Sequence, residues 1–227
     1  MVAMTSYTGD VSPGGDPQTR TLSTLAITKV AVDDKMSNNC YLLRCTESGE
    51  QLLVDAADSP DVLLPLLKGG GLATVVTTHQ HWDHHRALAA VVEATGAEHF
   101  AGAPDADAIE EQTGVEAARR LEHGDIVRVG RVDLDVIAIA GHTPGSVCLL
   151  HRDSDGVPHL FTGDSLFPGG VGSTFGDADA FELLIDQVEE RIFGLLPDET
   201  HFYPGHGKDG LLGQEREHLP EWRARKW

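Results

Sequence analysis

A dense group of histidine and aspartate side chains occupies residues 78–84, which read Thr-His-Gln-His-Trp-Asp-His. Within it, His79, His81, Asp83 and His84 offer imidazole nitrogens and a carboxylate, the groups that bind zinc, iron or manganese in proteins. Chance would place this spacing in about 0.003 positions of a chain of this composition, a low false-positive rate for a short motif. We therefore interpret the segment as a metal-binding motif.

Three more candidate ligands follow predicted strands, and each is flanked by glycine. Glycine lets the backbone turn sharply and approach a site closely. Taken singly, each is explained equally well as a turn residue or as a hydrogen-bonded histidine. The three are His142 in Gly-His-Thr-Pro-Gly-Ser, Asp164 in Thr-Gly-Asp-Ser and His206 in Pro-Gly-His-Gly.

Seven nitrogen and oxygen ligands exceed the four of one tetrahedral zinc ion and suit two metals that share a bridge. We expect two divalent metal ions, with zinc the first choice and iron or manganese the alternatives, because this donor set suits all three. Of these side chains, only a carboxylate can bridge two metals. One assignment therefore uses every ligand: the first metal on His79, His81 and His142, the second on Asp83, His84 and His206, and Asp164 spanning both.

Short apolar segments bounded by turn residues predict the elements that hold these ligands. Strands that alternate with helices in each half of the chain favour a layered, mixed α/β (α+β) domain. Strands are predicted at 25–32, 39–44, 51–55, 73–78, 126–129, 132–140, 146–151 and 159–162, with 201–203 as the final strand; helices are predicted from Pro60 to Gly69–Gly71, from Trp82 to Thr95, over most of 106–122, and through Phe181, Leu184, Ile185, Val188 and Ile192.

Domain organisation follows from the same pattern. Residues 1–23 begin with a stretch rich in Gly, Pro, Ser, Thr and Asp, which predicts a mobile lead-in. No linker or low-complexity block divides the chain after it, so residues 24–227 are expected to form a single domain.

The motifs Thr-His-Gln-His-Trp-Asp-His, Gly-His-Thr-Pro-Gly-Ser, Thr-Gly-Asp-Ser-Leu-Phe and Pro-Gly-His-Gly resemble those of the metallo-β-lactamase fold superfamily. Within it, the hydroxyacylglutathione hydrolase (glyoxalase II)-like members are the most similar, over residues 24–222. The resemblance implies an αββα sandwich with a dinuclear site at the edge of its two sheets, and it supports the ligand assignment above. It also implies that Asp55 is an acid beside the ligands, although a turn-forming role at the strand end is the alternative.

The resemblance implies a hydrolase that cleaves a thioester, or a related small ester or lactone, through a metal-bridging hydroxide. Asp83 would act as both ligand and base. The main alternative is a persulfide dioxygenase-like enzyme with one iron on His79, His142 and Asp164. A lactonase-like or β-lactamase-like activity and a non-catalytic, metal-stabilised binding module are further alternatives. Two metals per chain would disfavour the mononuclear oxygenase.

Substrate contacts are less clearly marked in the sequence. Trp82 and Phe167 lie next to ligand motifs, and core packing is the expected role of each, with the wall of an apolar pocket as the alternative. The glycine-rich loop at residues 168–176 is placed to cover a substrate, and it lacks the lysine and the spacing of a phosphate-binding loop.

Composition narrows the partners. The 17 Lys and Arg residues stand against 36 Asp and Glu, a net charge of −19, which argues against nucleic acid as a partner. No apolar run is long enough to span a membrane, and the first 20 residues lack the apolar region of a signal peptide. The 3 cysteines do not suggest a disulfide framework. We expect a cytoplasmic protein that acts on a small molecule, without a membrane or nucleic-acid partner.

Overall fold

Two β-sheets face each other in the computed structural model, which describes residues 7–67 and 71–226. The first sheet has seven strands in chain order, antiparallel from β1 to β4 and parallel from β4 to β7. Its strands are β1 (Gln18–Thr21), β2 (Leu25–Val32), β3 (Asn38–Cys45), β4 (Gln51–Val54), β5 (Leu72–Thr77), β6 (Glu98–Gly102) and β7 (Arg119–Leu121).

Three helices connect the parallel strands, because parallel neighbours need a crossover between them. They are α1 (Pro60–Leu66), α2 (Leu88–Thr95) and α3 (Ala106–Thr113). Leu63, Leu88 and Ile109 from these helices are fully buried in one cluster with Leu53 and Val75 of the sheet. The helices therefore cover the outer face of the first sheet.

The second sheet has six strands in the order β15-β14-β11-β10-β9-β8, all antiparallel except for the parallel pair β11 and β14. A separate two-stranded ribbon, β12 and β13, follows β11. The strands are β8 (Ile126–Val129), β9 (Val132–Ala138), β10 (Val147–Arg152), β11 (Pro158–Gly163), β12 (Leu166–Phe167), β13 (Gly170–Val171), β14 (His201–Pro204) and β15 (Gly210–Leu211).

Helices also cover the outer face of the second sheet. Helix α4 (Ala178–Val188) continues into a π-helical turn at Glu189–Phe193, and its buried residues are those predicted by the amphipathic spacing. Short helices α5 (Leu212–Glu215) and α6 (Leu219–Arg225) flank a 3₁₀ turn at 216–218. Within the described residues, no helix has the length and apolar character needed to cross a bilayer.

The central core lies between the two sheets. Alternation along the strands sends every second side chain inward, as Val132, Leu134 and Val136 of β9 show. These side chains meet residues of the first sheet such as Ile27 and Val76, all buried in one cluster. The order of layers is helix, sheet, sheet, helix, so the predicted αββα sandwich is confirmed.

Two predicted helices differ from the structure. The helix predicted from Trp82 to Thr95 is divided, with a 3₁₀ turn at Trp82–His84 before α2 begins at Leu88. The backbone N–H groups of Arg86 and Ala87 donate to the carbonyls of Ala57 and Ala56, 3.1 and 3.0 Å away, and so leave the helical pattern.

The segment 106–122, predicted as mostly helical, is helical only to Thr113. Gly114 then adopts a left-handed conformation with φ of 72° that ends the helix. The chain continues into β7, an edge strand that pairs with β6. Its three residues, Arg-Arg-Leu, are too few to show an apolar period.

The chain ends of the domain also differ from the prediction. Strand β1 lies inside the predicted lead-in and pairs with β2, and its polar Gln-Thr-Arg-Thr sequence explains why periodicity did not indicate it. Strand β15 follows the strand predicted as the last one. Residues 1–6 of the lead-in, and residues 69 and 70 of the predicted glycine helix end, lie outside the described residues.

Candidate metal centre

The seven predicted ligands converge at one edge of the sandwich. His79 follows β5, His142 follows β9, Asp164 follows β11 and His206 follows β14. Each therefore stands in a loop at a strand end, where a rigid sheet fixes the backbone and the side chain is free to reach a shared space. All seven belong to groups whose ligand atoms lie within 4.8 Å of one another.

The first group consists of His79, His81 and His142. His81 Nδ1 lies 2.9 Å from His142 Nε2. His79 is fully buried, and its ring centroid lies 4.8 Å from the centroids of both other rings.

The second group consists of Asp83, His84 and His206. The Nε2 atoms of the two histidines are 3.2 Å apart, and Asp83 Oδ2 lies 3.6 Å from His84 Nε2 and 3.5 Å from His206 Nε2. Asp83 and His84 belong to the 3₁₀ turn at Trp82–His84, and both of their side chains face His206.

Asp164 contacts both groups. Its Oδ2 lies 3.7 Å from His142 Nε2 in the first group and 3.5 Å from His206 Nε2 in the second. Its Oδ1 lies 3.5 Å from His84 Nε2, and a third set of converging ligand atoms joins His79, His84 and Asp164. The carboxylate thus contacts histidines of both groups.

Protein oxygens hold the outward-facing nitrogen of four of these rings. A carbonyl only accepts, so in a neutral ring it fixes the proton on the nitrogen that faces it and leaves a lone pair on the other. Four Nδ1 atoms are held in this way or by a side-chain oxygen: His142 by the Ser173 carbonyl at 2.7 Å, His206 by the Met36 carbonyl at 2.9 Å, His84 by Asp55 Oδ2 at 2.8 Å and His79 by Thr78 Oγ1 at 3.0 Å.

Two buried atoms at the centre lack a hydrogen-bond partner among the described residues, His79 Nε2 and Asp164 Oδ1. A buried polar atom without a partner is costly, so it normally has a ligand or water. Gly205 leaves room beside them, since a Cβ atom there would collide with Asp164 Oδ1 and would lie 2.6 Å from His84 Cε1. The His and Asp groups can therefore bind a metal.

The electrostatics of the two groups differ. Burial lowers the pKa of His81 to about 4 and places the pKa of His79 well below its usual value, so both rings are neutral, as ligation requires. In the second group burial also disfavours charge, but the carboxylates of Asp164 and Asp83 raise the pKa of His206 to about 9. Asp164 and Asp55 likewise raise the pKa of His84. The carboxylates thus favour positive charge at the second group.

Asp55 lies where the resemblance placed it, beside the ligands. It follows β4 in a left-handed conformation with φ of 58°. Its Oδ1 accepts from the Thr78 backbone N–H at 2.7 Å, and its Oδ2 accepts from Thr78 Oγ1 at 2.9 Å and faces His84 Nδ1. The carboxylate thus connects the ligand loop after β5 to the ring of His84.

Two polar residues support the site without having been predicted. Asn38 Nδ2 donates to Asp83 Oδ2 at 2.9 Å. Asp105 is fully buried, and it accepts from the Gln80 N–H at 2.9 Å, the Gly145 N–H at 2.7 Å and the Thr143 hydroxyl at 2.6 Å. Asp105 stands three residues after β6, so an acid after a parallel strand was a signal that could have indicated it.

A buried lysine supports the loop that carries His206. Lys29 is fully buried, and its Nζ donates to the Gly207 carbonyl at 2.8 Å, the Gly9 carbonyl at 2.7 Å and Asp209 Oδ1 at 2.7 Å. Burial lowers the pKa of this amine, although Asp209 acts against the shift. The N-terminal segment and the His206 loop therefore share one buried cation.

Aromatic side chains surround the opening of the site. Trp82 is 52% exposed, so the predicted core role is wrong for this residue. The Phe167 ring lies 6.4 Å from that of His206. Phe175, which the sequence did not single out, lies 5.5 Å from His81 and 6.1 Å from His142.

Known proteins are similar to this chain in sequence and in fold. Residues 33–210 match the family model of the metallo-β-lactamase superfamily. A hydroxyacylglutathione hydrolase from Polaromonas sp. is 35% identical over 188 residues, which cover 80% of this chain and 66% of that protein. The structure of ETHE1 from Myxococcus xanthus has a TM-score of 0.73 at 29% identity, covering 87% of this chain and 84% of that one. The structure of TTHA1623, in a di-iron-bound form, has a TM-score of 0.66 at 31% identity, covering 83% and 96%.

The chain belongs to the metallo-β-lactamase superfamily, since the family model spans most of it. It spans only 66% of the length of the Polaromonas hydrolase.

Proposed function

We propose that the protein is a dinuclear, metal-dependent hydrolase that cleaves a thioester or a related small ester or lactone. The observation that carries this proposal is the pair of ligand groups that Asp164 contacts on both sides. The similarity to hydroxyacylglutathione hydrolases supports the reaction class, and the di-iron form of TTHA1623 supports two metals.

His79, His81 and His142 would hold the first metal, Asp83, His84 and His206 the second, and Asp164 would bridge them. Two bound divalent ions would supply a nucleophilic hydroxide at neutral pH and polarise the carbonyl of the substrate. Zinc is our first choice, with iron and manganese as alternatives, because imidazole and carboxylate ligands suit each of them.

The chain's own residues would manage protons and orientation. Burial raises the pKa of Asp83, but hydrogen bonds from His206 and Asn38 and the charge of His84 outweigh burial and lower it, so the carboxylate is ionised at neutral pH. An ionised carboxylate held by Asn38 can accept a proton from the attacking group. We propose Asp83 as both ligand and base, with Asn38 fixing its orientation and Asp55 fixing that of His84.

Substitution of Asp83 by Asn tests this role, with Asp61→Asn at an exposed position of α1 as a matched control. We expect the purified, metal-loaded wild type to contain two metals per chain and to hydrolyse members of a panel of thioesters, esters and lactones. Asp83→Asn should keep its fold and lose about 100-fold or more in kcat, the usual contribution of a positioned base. Near-normal turnover by metal-loaded Asp83→Asn would exclude Asp83 as the base.

A mononuclear iron oxygenase is the second candidate, because His79, His142 and Asp164 form a set of two histidines and one carboxylate. Metal content separates the two proposals. One iron per chain, with oxygen consumed and no ester cleaved, would favour the oxygenase. Two metals per chain with hydrolysis would favour the hydrolase.

We also propose a cytoplasmic location and a small-molecule substrate. All three cysteines are free and buried, as is usual in reducing compartments. The net charge of −19 disfavours nucleic acid as a partner.

A further inference from the structure

Some of the exposed apolar residues occur in loops that hold or contact the candidate ligands. Among the described residues, seven large apolar side chains are exposed, and three of them belong to loops that hold or contact the ligands. These are Met36, Trp82 and Phe175, exposed by 44%, 52% and 76%. Exposed apolar groups scattered over a surface are ordinary, whereas a group of them at a polar site marks a binding surface.

Each of the three is tied to a ligand. The Met36 carbonyl faces His206 Nδ1 at 2.9 Å, and Trp82 stands between His81 and Asp83 in the chain. The Phe175 ring meets His81 edge to face. The rings of the exposed Phe175 and the half-buried Phe167 lie close to ligand rings, and we name these two residues the apolar rim.

The rim covers both ligand groups. Phe175 lies against the first group, and Phe167 lies 6.4 Å from His206 of the second. If the substrate carbonyl lay between the two ligand groups, the acyl group attached to it would contact these rings. Rings of this kind bind apolar or aromatic groups and offer little to an anionic one.

Cations close to the ligand loops are already paired. Arg86 lies 4.4 Å from the centroid of the Trp82 ring, and it forms ion pairs with Asp33 and, at 3.0 Å, with Asp58. Lys208, two residues after His206, pairs with Asp10 at 2.9 Å. Lys35, next to Met36, is exposed and remains as the candidate to attract an anionic substrate.

From the apolar rim and the paired cations we infer that the substrate is an uncharged thioester or ester with an apolar acyl group, rather than a conjugate of a charged peptide thiol. This inference rests on the proposed hydrolase function. In hydrolysis, water adds to the acyl carbon, the bond from carbon to sulfur or oxygen breaks, and the leaving thiol or alcohol takes a proton. The rim would bind the acyl group in that step.

Four thioesters test the inference on the metal-loaded full chain. They combine two acyl groups, phenylacetyl and lactoyl, with two thiols, the uncharged N-acetylcysteamine and the charged glutathione. We expect kcat/KM to be about tenfold or more higher for phenylacetyl than for lactoyl, the smaller end of the range for apolar contacts in a pocket. We also expect the N-acetylcysteamine thioesters to be preferred to those of glutathione.

Phe175→Ala should reduce the kcat/KM of the phenylacetyl thioesters more than that of the lactoyl thioesters, so that the ratio of the two falls about tenfold. Leu195→Ala is the matched control, because Leu195 is 73% exposed and lies outside the rim. Calorimetry gives a readout without turnover. Phenylacetate should bind the metal-loaded wild type about tenfold more tightly than acetate, which has the same carboxylate without the ring, and Phe175→Ala should remove that difference.

The possible failures are distinguishable. If S-lactoylglutathione is the best of the four substrates, and Lys35→Gln abolishes that preference, the inference is wrong and the hydrolase proposal stands. Equal rates for all four thioesters, unchanged in Phe175→Ala, would also overturn it. If the metal-loaded protein hydrolyses none of the four, nor any ester or lactone of the wider panel, the proposed function itself fails.

Discussion

Asp105 connects two ligand loops, and its replacement should weaken one metal position more than the other. One of its oxygens accepts from the Gly145 N–H, and the other accepts from the Gln80 N–H and the Thr143 hydroxyl. Gln80 lies between two ligands of the first group, and Thr143 follows the third. The carboxylate thus fixes the spacing of these loops, in which His81 and His142 approach to 2.9 Å.

The size of the effect follows from these three hydrogen bonds. A hydrogen bond to a charged group contributes about 1.5 to 3 kcal/mol. Asp105→Asn keeps one acceptor oxygen, which can serve Gln80 and Thr143, so it should lose one bond and about 2 kcal/mol of unfolding free energy. Asp105→Ala loses all three bonds, and release of the buried charge offsets part of the cost, so we expect about 4 kcal/mol.

Two measurements check this prediction. Urea unfolding gives the change in stability, with Asp107→Asn as the control, since Asp107 is an exposed residue of the same helix. Zinc titration of the metal-free protein against a competing chelator gives the affinities. For Asp105→Asn we expect the zinc affinity of the first metal position to fall about tenfold, the usual loss when a residue that orients ligands is replaced. The affinity of the second position should not change. Equal weakening of both positions, or a stability no different from that of Asp107→Asn, would refute the role of Asp105.

Three further predictions concern the site and the core. Gly205→Ala should bind one metal instead of two, because its Cβ would displace Asp164 and His84; elemental analysis that still finds two metals would contradict this. Burial lowers the pKa of His159 to about 4, so the unfolded state takes up a proton at this residue before the folded state does as pH falls below about 6.5. Urea unfolding at pH 5 should therefore show an unfolding free energy about 2 kcal/mol lower because of this residue. His159→Gln should remove that part of the loss. Removal of metal by a chelator should lower the unfolding free energy by about 4 kcal/mol relative to protein at a thousandfold excess of metal over Kd, and an unchanged melting temperature would argue against a bound metal.

The convergence of the candidate ligands could be predicted from sequence because His79, His142, Asp164 and His206 each follow a strand whose apolar pattern is local. His142 after β9 and His206 after β14 needed only a short strand, a glycine and a histidine to be recognised. The same reasoning predicted the layers, since strand and helix periods largely determine which faces are buried.

The supporting residues depend on contacts between distant parts of the chain, and no local pattern indicates them. Asn38 meets Asp83 across 45 positions, and Lys29 meets the Gly207 carbonyl across 178. The interruption of the helix after Trp82 has the same origin, because the backbone N–H groups of Arg86 and Ala87 donate to the carbonyls of Ala57 and Ala56 in another loop. A helical pattern alone could not show that these carbonyls would compete.

The shared cation Lys29 makes the N-terminal segment part of the scaffold of the candidate metal centre. A shortened protein that begins at residue 24, where the composition changes, would lose the Gly9 carbonyl that accepts from Lys29 and the β1 strand that pairs with β2. One of the three acceptors of a desolvated ammonium group would be gone, and the loop that presents His206 would lose an anchor. The position at which an expression tag is fused or removed would then influence metal loading, and preparations that differ only in their first two dozen residues would differ in metal content.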